Sequence, residues 1–76
     1  FTHGYLPAGG KYSWHSHEHI DEMVFVLKGS GFVRDRDGEY PFIEGDFFAF
    51  PENIEHEIEN TGDQAGEYVC VRIKTK

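Results

Sequence analysis

Short stretches of apolar residues, each closed by glycine or proline, recur along the whole chain. The clearest covers residues 22–28, which are rich in β-branched and aromatic side chains and end at Gly29. Residues 46–50 form a second stretch, between Gly45 and Pro51. Side chains of these types favour strands, and glycine and proline end them. The pattern therefore predicts short strands and almost no helix.

A hairpin is predicted between these two strands. Asp37-Gly38 is a strong two-residue turn signal, and residues 32–36 and 39–43 form its arms. Further strands are predicted over residues 1–6, 11–17, 55–60 and 67–74. About eight short antiparallel strands indicate a small β-sandwich or barrel, in which closure removes the exposed edges.

The predicted strand at residues 55–60 has one acidic side, formed by Glu55, Glu57 and Glu59. Strict alternation places His56 on the opposite, inward side. We interpret the acidic side as a solvated face that keeps a sheet edge from pairing with other chains.

Length and charge limit the function classes. A chain of 76 residues forms one small domain, which we predict to span residues 1–76. Its 14 acidic against 7 basic residues give a net charge of −7, which disfavours nucleic acid and anionic membranes as partners. The single cysteine, Cys70, fits a reducing, cytoplasmic location. No stretch approaches the run of about 20 apolar residues that spans a bilayer.

Four side chains of metal-binding types are expected to converge. His15 and His17 end one predicted strand, and Glu22 begins the next antiparallel strand across from them. The inward His56 adds a third imidazole if its strand closes the barrel nearby. A buried carboxylate needs a positive partner, and no lysine or arginine is adjacent to Glu22 in the sequence. These residues therefore predict a metal site. His3 and His19 are interpreted as solvated residues.

The spacing of these residues resembles the two motifs of the cupin superfamily. The first motif, in residues 9–29, is matched at every specified position by Gly9-x5-His15-x-His17-x4-Glu22-x6-Gly29. The second, in residues 45–60, is matched by Gly45-x5-Pro51-x-Asn53-x2-His56-x3-Asn60, in which Asn53 replaces a glycine. The glycine position needs a turn conformation that asparagine also tolerates. Beyond the motifs, the chain looks like the small single-domain cupins of bacteria and archaea.

The resemblance implies an all-β, antiparallel double-stranded β-helix, a jelly-roll barrel of about six to eight short strands. It also implies one divalent transition metal per chain, held by His15, His17, Glu22 and His56. Iron, manganese, nickel, cobalt, copper and zinc all suit a ligand set of three imidazoles and one carboxylate.

The walls of the pocket should be the inward neighbours of these ligands. Ile58 is placed there by its alternation with His56. The last strand offers one of two alternating sets, Tyr68, Cys70 and Arg72 or Val69, Val71 and Ile73. Alternation leaves both sets open, and the resemblance favours the first. That set would put a thiol and a cationic anchor for a substrate carboxylate near the metal.

Two functions fit such a site. One is a metalloenzyme that acts on a small organic metabolite by oxidative, decarboxylating or isomerising chemistry. The other is a small-molecule sensing or binding module of a longer protein, without turnover. The complete ligand set favours the enzyme, and a metal that only stabilises the fold is a third interpretation. A homodimer is also predicted, because the strand at residues 22–27 is apolar on both faces.

Overall fold

The structure, a computed structural model, describes residues 2–75, so that Phe1, in the predicted first strand, and Lys76 lie outside the described residues. Over the described range the regular secondary structure consists of eight strands, without a helix. In chain order the strands are β1 (Thr2–Leu6), β2 (Lys11–His15), β3 (Ile20–Lys28), β4 (Gly31–Asp35), β5 (Glu39–Phe42), β6 (Phe47–Phe50), β7 (His56–Asn60) and β8 (Gly66–Lys74).

The strands form two four-stranded sheets. The first sheet has the order β1-β8-β3-β6 and the second the order β2-β7-β4-β5. Every strand pair is antiparallel. The prediction of an all-β fold of about eight short antiparallel strands is therefore confirmed.

Strand β3 supplies the centre of the interior and part of the outer surface. Its inward side carries Glu22, Val24 and Val26, which are 3%, 1% and 2% exposed. Its outward side carries Phe25 and Leu27, which are 45% and 42% exposed. Because side chains alternate along a strand, a continuous apolar run fills the core on one side and leaves apolar surface on the other.

The predicted hairpin is confirmed and joins β4 to β5. Oδ1 of Asp35 accepts hydrogen bonds from the backbone N–H groups of Asp37 and Gly38, both at 2.9 Å. The backbone N–H of Asp35 donates to the carbonyl oxygen of Gly38 at 3.0 Å. An aspartate that bonds to the backbone in this way stabilises a tight turn.

The interpretation of the acidic side of β7 as a solvated sheet edge was wrong. This strand lies between β2 and β4, and Glu57 is only 7% exposed. Arg34 on β4 lies opposite Glu57 and pairs with the carboxylates of Glu39, Glu57 and Glu59 at 2.6, 2.9 and 2.8 Å. A neighbouring strand thus supplies the positive charge that allows Glu57 to be buried.

The core lies between the two sheets and is built from aliphatic and aromatic side chains. Its buried members are Leu6, Val24, Val26, Val33, Phe42, Phe50, Ile58 and Tyr68. Close approach of β4 to β7 depends on Gly31, because a side chain there would overlap the carbonyl oxygen of Glu59.

Candidate metal centre

Four side chains meet at one end of the sandwich. His15 is the last residue of β2, His17 follows in the turn, Glu22 lies on β3 and His56 begins β7. Each offers one ligand atom, and these atoms all lie within 4.8 Å of one another. The structure therefore brings together the four residues that the sequence nominated as metal ligands.

Strand pairing accounts for this convergence. In the β2–β7 pair, His15 lies directly opposite His56, after an irregularity that follows Tyr12. Glu22 reaches the same point from the other sheet, because it lies on the inward side of β3 with Val24. The turn after β2 adds His17, whose carbonyl oxygen accepts a 2.8 Å hydrogen bond from the backbone N–H of Asn53.

That turn contact depends on an unusual backbone conformation. Asn53 has a φ of 66°, in the left-handed region that glycine and asparagine adopt most readily. The expectation that asparagine supplies the turn conformation of the motif glycine is confirmed.

Two of the imidazoles are oriented by backbone carbonyls. Nδ1 of His15 lies 2.7 Å from the carbonyl oxygen of Ser13, and Nδ1 of His56 lies 2.9 Å from that of Ile54. A carbonyl oxygen only accepts, so both Nδ1 atoms carry the proton that is donated. In the neutral rings, Nε2 then presents a lone pair to the centre of the site, as metal-binding histidines do.

The Nε2 atoms face a carboxylate. Nε2 of His56 is 3.0 Å from Oε1 of Glu22, while Nε2 of His15 and of His17 lie 3.9 and 3.7 Å from its carboxylate oxygens. Nε2 of His17 is buried and has no hydrogen-bond partner among residues 2–75. Arg72 on β8, which is distant in the sequence, supplies one positive partner to this carboxylate at 3.0 Å, and an ion shared with the Nε2 atoms would supply another. The site is therefore compatible with a divalent metal.

The protonation states also suit metal binding. Burial raises the pKa of Glu22, but the contacts of its carboxylate with His56 and Arg72 outweigh burial and lower this pKa to about 2. Burial lowers the pKa of His17, although the charge of Glu22 acts in the opposite direction. An ionised carboxylate and a neutral imidazole are the forms that bind a metal ion.

A cavity of about 220 Å³ opens beside the ligands. It is lined by Thr2, Gly4, Tyr12, His15, Glu22, Ile58, Cys70 and Arg72. Of the residues nominated as pocket walls, the structure places Ile58, Cys70 and Arg72 here. Burial, and after it the charge of Glu22, raises the pKa of the Cys70 thiol, which therefore stays protonated at neutral pH.

Tyr68 lies elsewhere and does not line this cavity. It shares the inward side of β8 with Cys70 but is 1% exposed, with its ring 6.0 Å from that of Phe42 in the core. Its position opposite Val26 places it further from the metal ligands than Arg72, which lies opposite Glu22. One side of a strand here serves both the core and the cavity.

The two histidines interpreted as solvated are outside the metal cluster. Nε2 of His3 lies 2.7 Å from Oε1 of Glu67. His19 lies in the turn before β3 with a φ of 59°, and its ring nitrogens are 3.3 and 3.4 Å from carboxylate oxygens of Glu18 and Glu52. Both lie beside carboxylates on partly exposed surface.

Sequence reasoning missed one residue that supports the site. The ring of Phe50 stacks in parallel on that of His56, with centroids 3.7 Å apart. Alternation alone could place Phe50 on the same side of its strand as Phe48, but not opposite a histidine of the other sheet. Together with the hydrogen bond to the carbonyl oxygen of Ile54, this contact fixes the orientation of the His56 ring.

No helix among residues 2–75 has both the length and the apolar character to cross a membrane.

The model of the cupin domain family matches residues 3–72. The chain belongs to the cupin family. This cupin is 34% identical over 68 residues to the oxalate-binding protein of Thermotoga maritima, covering 90% of the chain and 56% of that protein. It is 28% identical over 65 residues to an uncharacterised protein of Methanocaldococcus jannaschii, covering 86% of the chain and 52% of that protein. The cupin thus spans 52–56% of the length of these relatives.

Solved structures agree with the family assignment. A predicted oxalate decarboxylase from Thermotoga maritima superposes with a TM-score of 0.90 at 32% identity, over 95% of this cupin and 63% of that chain. A sugar phosphate isomerase from the cupin superfamily of Silicibacter pomeroyi superposes with a TM-score of 0.83 at 30% identity, over 96% and 48% of the two chains. The resemblance found in the two motifs is therefore confirmed.

Proposed function

We propose that this cupin binds one divalent transition metal through His15, His17, Glu22 and His56 and acts on a small organic metabolite. The chemistry would be oxidative, decarboxylating or isomerising. Three neutral imidazoles and one carboxylate suit iron, manganese, nickel, cobalt, copper or zinc. Such an ion would act as a Lewis acid or a redox centre for a molecule held in the adjacent cavity.

One observation carries this proposal. Nε2 of His56 and Oε1 of Glu22 are 3.0 Å apart, while Nδ1 of His56 is committed to a backbone carbonyl. The buried Nε2 of His17 points to the same place without a partner among the described residues. A shared cation satisfies all of these atoms at once, whereas leaving buried polar atoms unpaired costs about 1–3 kcal/mol for each group.

The first test is elemental analysis of protein purified without an affinity tag or added metal. We expect a transition metal near one per chain in the wild type and its loss in His56→Ala. The matched control is His19→Ala, which removes an imidazole from the surface and should keep the metal. A wild type that takes up none of these ions, even after incubation with each, would refute the proposal.

The alternative function is a binding or sensing module without turnover. It is supported by the Thermotoga relative, which is described as an oxalate-binding protein. The relative described as a predicted oxalate decarboxylase supports an enzyme instead. A measurement of oxalate consumption and carbon dioxide release by the metal-loaded protein distinguishes an enzyme from a binding module. Binding without consumption of oxalate or of related small acids would favour the module.

We also propose that residues 1–76 form one domain that pairs as a homodimer in a reducing, cytoplasmic setting. The exposed apolar side chains Phe25, Leu27, Phe47 and Ile73 all lie on strands of the first sheet and are 45%, 42%, 51% and 48% exposed. A second copy would cover such a surface and remove its apolar area from water. The cytoplasmic setting rests on the single cysteine.

A further inference from the structure

Phe50 lies against two of the four proposed metal ligands, one in each sheet. On β6 it is directly opposite Glu22 in the β3–β6 pair. Its ring also stacks on the imidazole of His56, which belongs to the second sheet. Phe50 is 7% exposed and His56 is 1% exposed, so the stack is shielded from water. One face of the His56 ring therefore meets an aromatic side chain and not solvent.

The geometry of this stack is not the one that two neutral rings prefer. The ring planes are parallel, at 0°, and the centroids are only 3.7 Å apart, so the rings lie nearly face to face. Neutral aromatic pairs prefer offset or edge-to-face arrangements, because both ring faces carry negative charge density. The ring of His15 follows that preference, since it meets His56 at 63° and His17 at 70°. A face-to-face stack becomes favourable when one of its rings carries positive charge.

Metal binding would put such a charge on His56. An imidazole that binds a divalent ion through Nε2 takes up part of the charge of the ion, which is the largest local charge in such a site. Positive charge over the face of an aromatic ring is attracted within about 6 Å, and more strongly where water is excluded. The face of Phe50 therefore attracts the metal-bound form of His56 more strongly than the free form. A contact that is stronger in one state shifts the equilibrium toward that state.

We propose that Phe50 is a positioning residue that raises the affinity of the site for a divalent metal by stacking the face of its ring on His56. This inference rests on the proposed metal site. Phe50 has no ligand atom and acts through the imidazole, which is also held by the hydrogen bond from Nδ1 to the carbonyl oxygen of Ile54. The hydrogen bond sets where Nε2 points, and the stack favours positive charge on the ring.

The test compares the dissociation constants for cobalt(II) of the wild type, Phe50→Leu and Phe50→Tyr, measured by competition with a chromogenic chelator. Leucine keeps an apolar side chain but lacks the aromatic face. Phe50→Leu should therefore bind cobalt about tenfold more weakly, which corresponds to about 1.4 kcal/mol. Phe50→Tyr keeps the face and should bind within about threefold of the wild type.

A further variant separates the charge distribution of the ring from its shape. Pentafluorophenylalanine at position 50 has nearly the shape of phenylalanine, but fluorination reverses the sign of the charge density on the ring face. We expect this variant to bind cobalt at least as weakly as Phe50→Leu. Wild-type affinity here would overturn the inference, because the ring would then act through its shape alone.

The matched control is Phe42→Leu. Phe42 is 2% exposed, and its aromatic contacts among residues 2–75 are with Phe48 and Tyr68, so this variant loses a buried ring away from the metal ligands. Both leucine variants should have a lower melting temperature without metal, but Phe42→Leu should bind cobalt as the wild type does. Equal weakening of cobalt binding in the two would overturn the inference, because lost core packing would then explain both.

Two outcomes separate this inference from the proposed metal site. If the wild type binds no transition metal, the proposed function and this inference are both wrong. If the wild type, Phe50→Leu and Phe42→Leu all bind cobalt equally well, the metal site stands and the role of Phe50 is refuted.

Discussion

Replacing Asn60 with alanine should destabilise the protein far more than a substitution of an exposed residue. Asn60 is 0% exposed, and its Nδ2 donates to the carbonyl oxygens of Leu6, Pro7 and Gln64 at 3.0, 3.2 and 2.8 Å. Its Oδ1 accepts a 3.0 Å hydrogen bond from the backbone N–H of Gly62. One side chain thus fastens two loops to the end of β7.

The size of the effect follows from these contacts. The two protons of the amide serve three carbonyls, so the side chain makes the equivalent of about three hydrogen bonds, each contributing about 1 kcal/mol net. Asn60→Ala should therefore lower the free energy of unfolding by about 3 kcal/mol. A domain of this length is stable by about 4–11 kcal/mol in total. The melting temperature should fall by about 12–24 °C, from the usual 4–8 °C per kcal/mol for small domains.

Urea and thermal unfolding, followed by circular dichroism on metal-free protein, measure this loss. Gln64→Ala is the matched control, because it removes an exposed side chain from the same loop and keeps the backbone carbonyl. It should change stability by less than about 0.5 kcal/mol. Asn60→Asp tests the direction of the hydrogen bonds, since it replaces the donor by an acceptor and should be more damaging at pH 7 than at pH 3. A decrease in melting temperature of less than about 4 °C for Asn60→Ala would refute the reasoning.

Three more predictions concern charge and association. In metal-free protein, the stabilisation by ionised Glu22 is complete above its unfolded-state pKa of about 4.5 and is lost as the pH falls through the folded-state pKa of about 2. Acid titration of the unfolding free energy should therefore show a loss of about 3 kcal/mol that Glu22→Gln lacks. Arg34→Met leaves the buried carboxylate of Glu57 without its cation and should cost about 2 kcal/mol in urea unfolding, whereas Arg36→Met removes an exposed ion pair and should cost under about 1 kcal/mol. Light scattering at tens of micromolar should give a dimer for the wild type and a monomer for Phe25→Glu, and a monomeric wild type would contradict the homodimer.

The strands and the nominated ligands were accessible from the sequence because their signals are local. Alternation placed His56 on an inward side, and one predicted strand ended at His17 while the next began at Glu22. The meeting of His15 with His56 is different, because it depends on the register of two strands about 40 residues apart in the chain. Alternation does not encode that register, so the sequence alone left the arrival of His56 conditional on closure of the barrel, and the resemblance to the cupin motifs implied it.

The features that sequence reasoning missed depend on contacts between distant strands. The acidic residues of β7 alternate as expected, but their burial depends on Arg34 of the neighbouring strand. Tyr68 and Cys70 share one side of β8, yet the interior changes along that strand from packed core to open cavity. Period-two alternation gives the side of a strand on which a residue lies and not what covers it.

The four nominated ligands are divided between the two layers of the molecule. Glu22 belongs to the first sheet, while His15 and His56 belong to the second. An ion bound there would be a cross-link between two sheets that otherwise meet mainly through side-chain packing. It would resist sliding of one sheet over the other at that end, where the cavity lies. Occupancy by metal would then set how far the cavity can widen to admit a ligand.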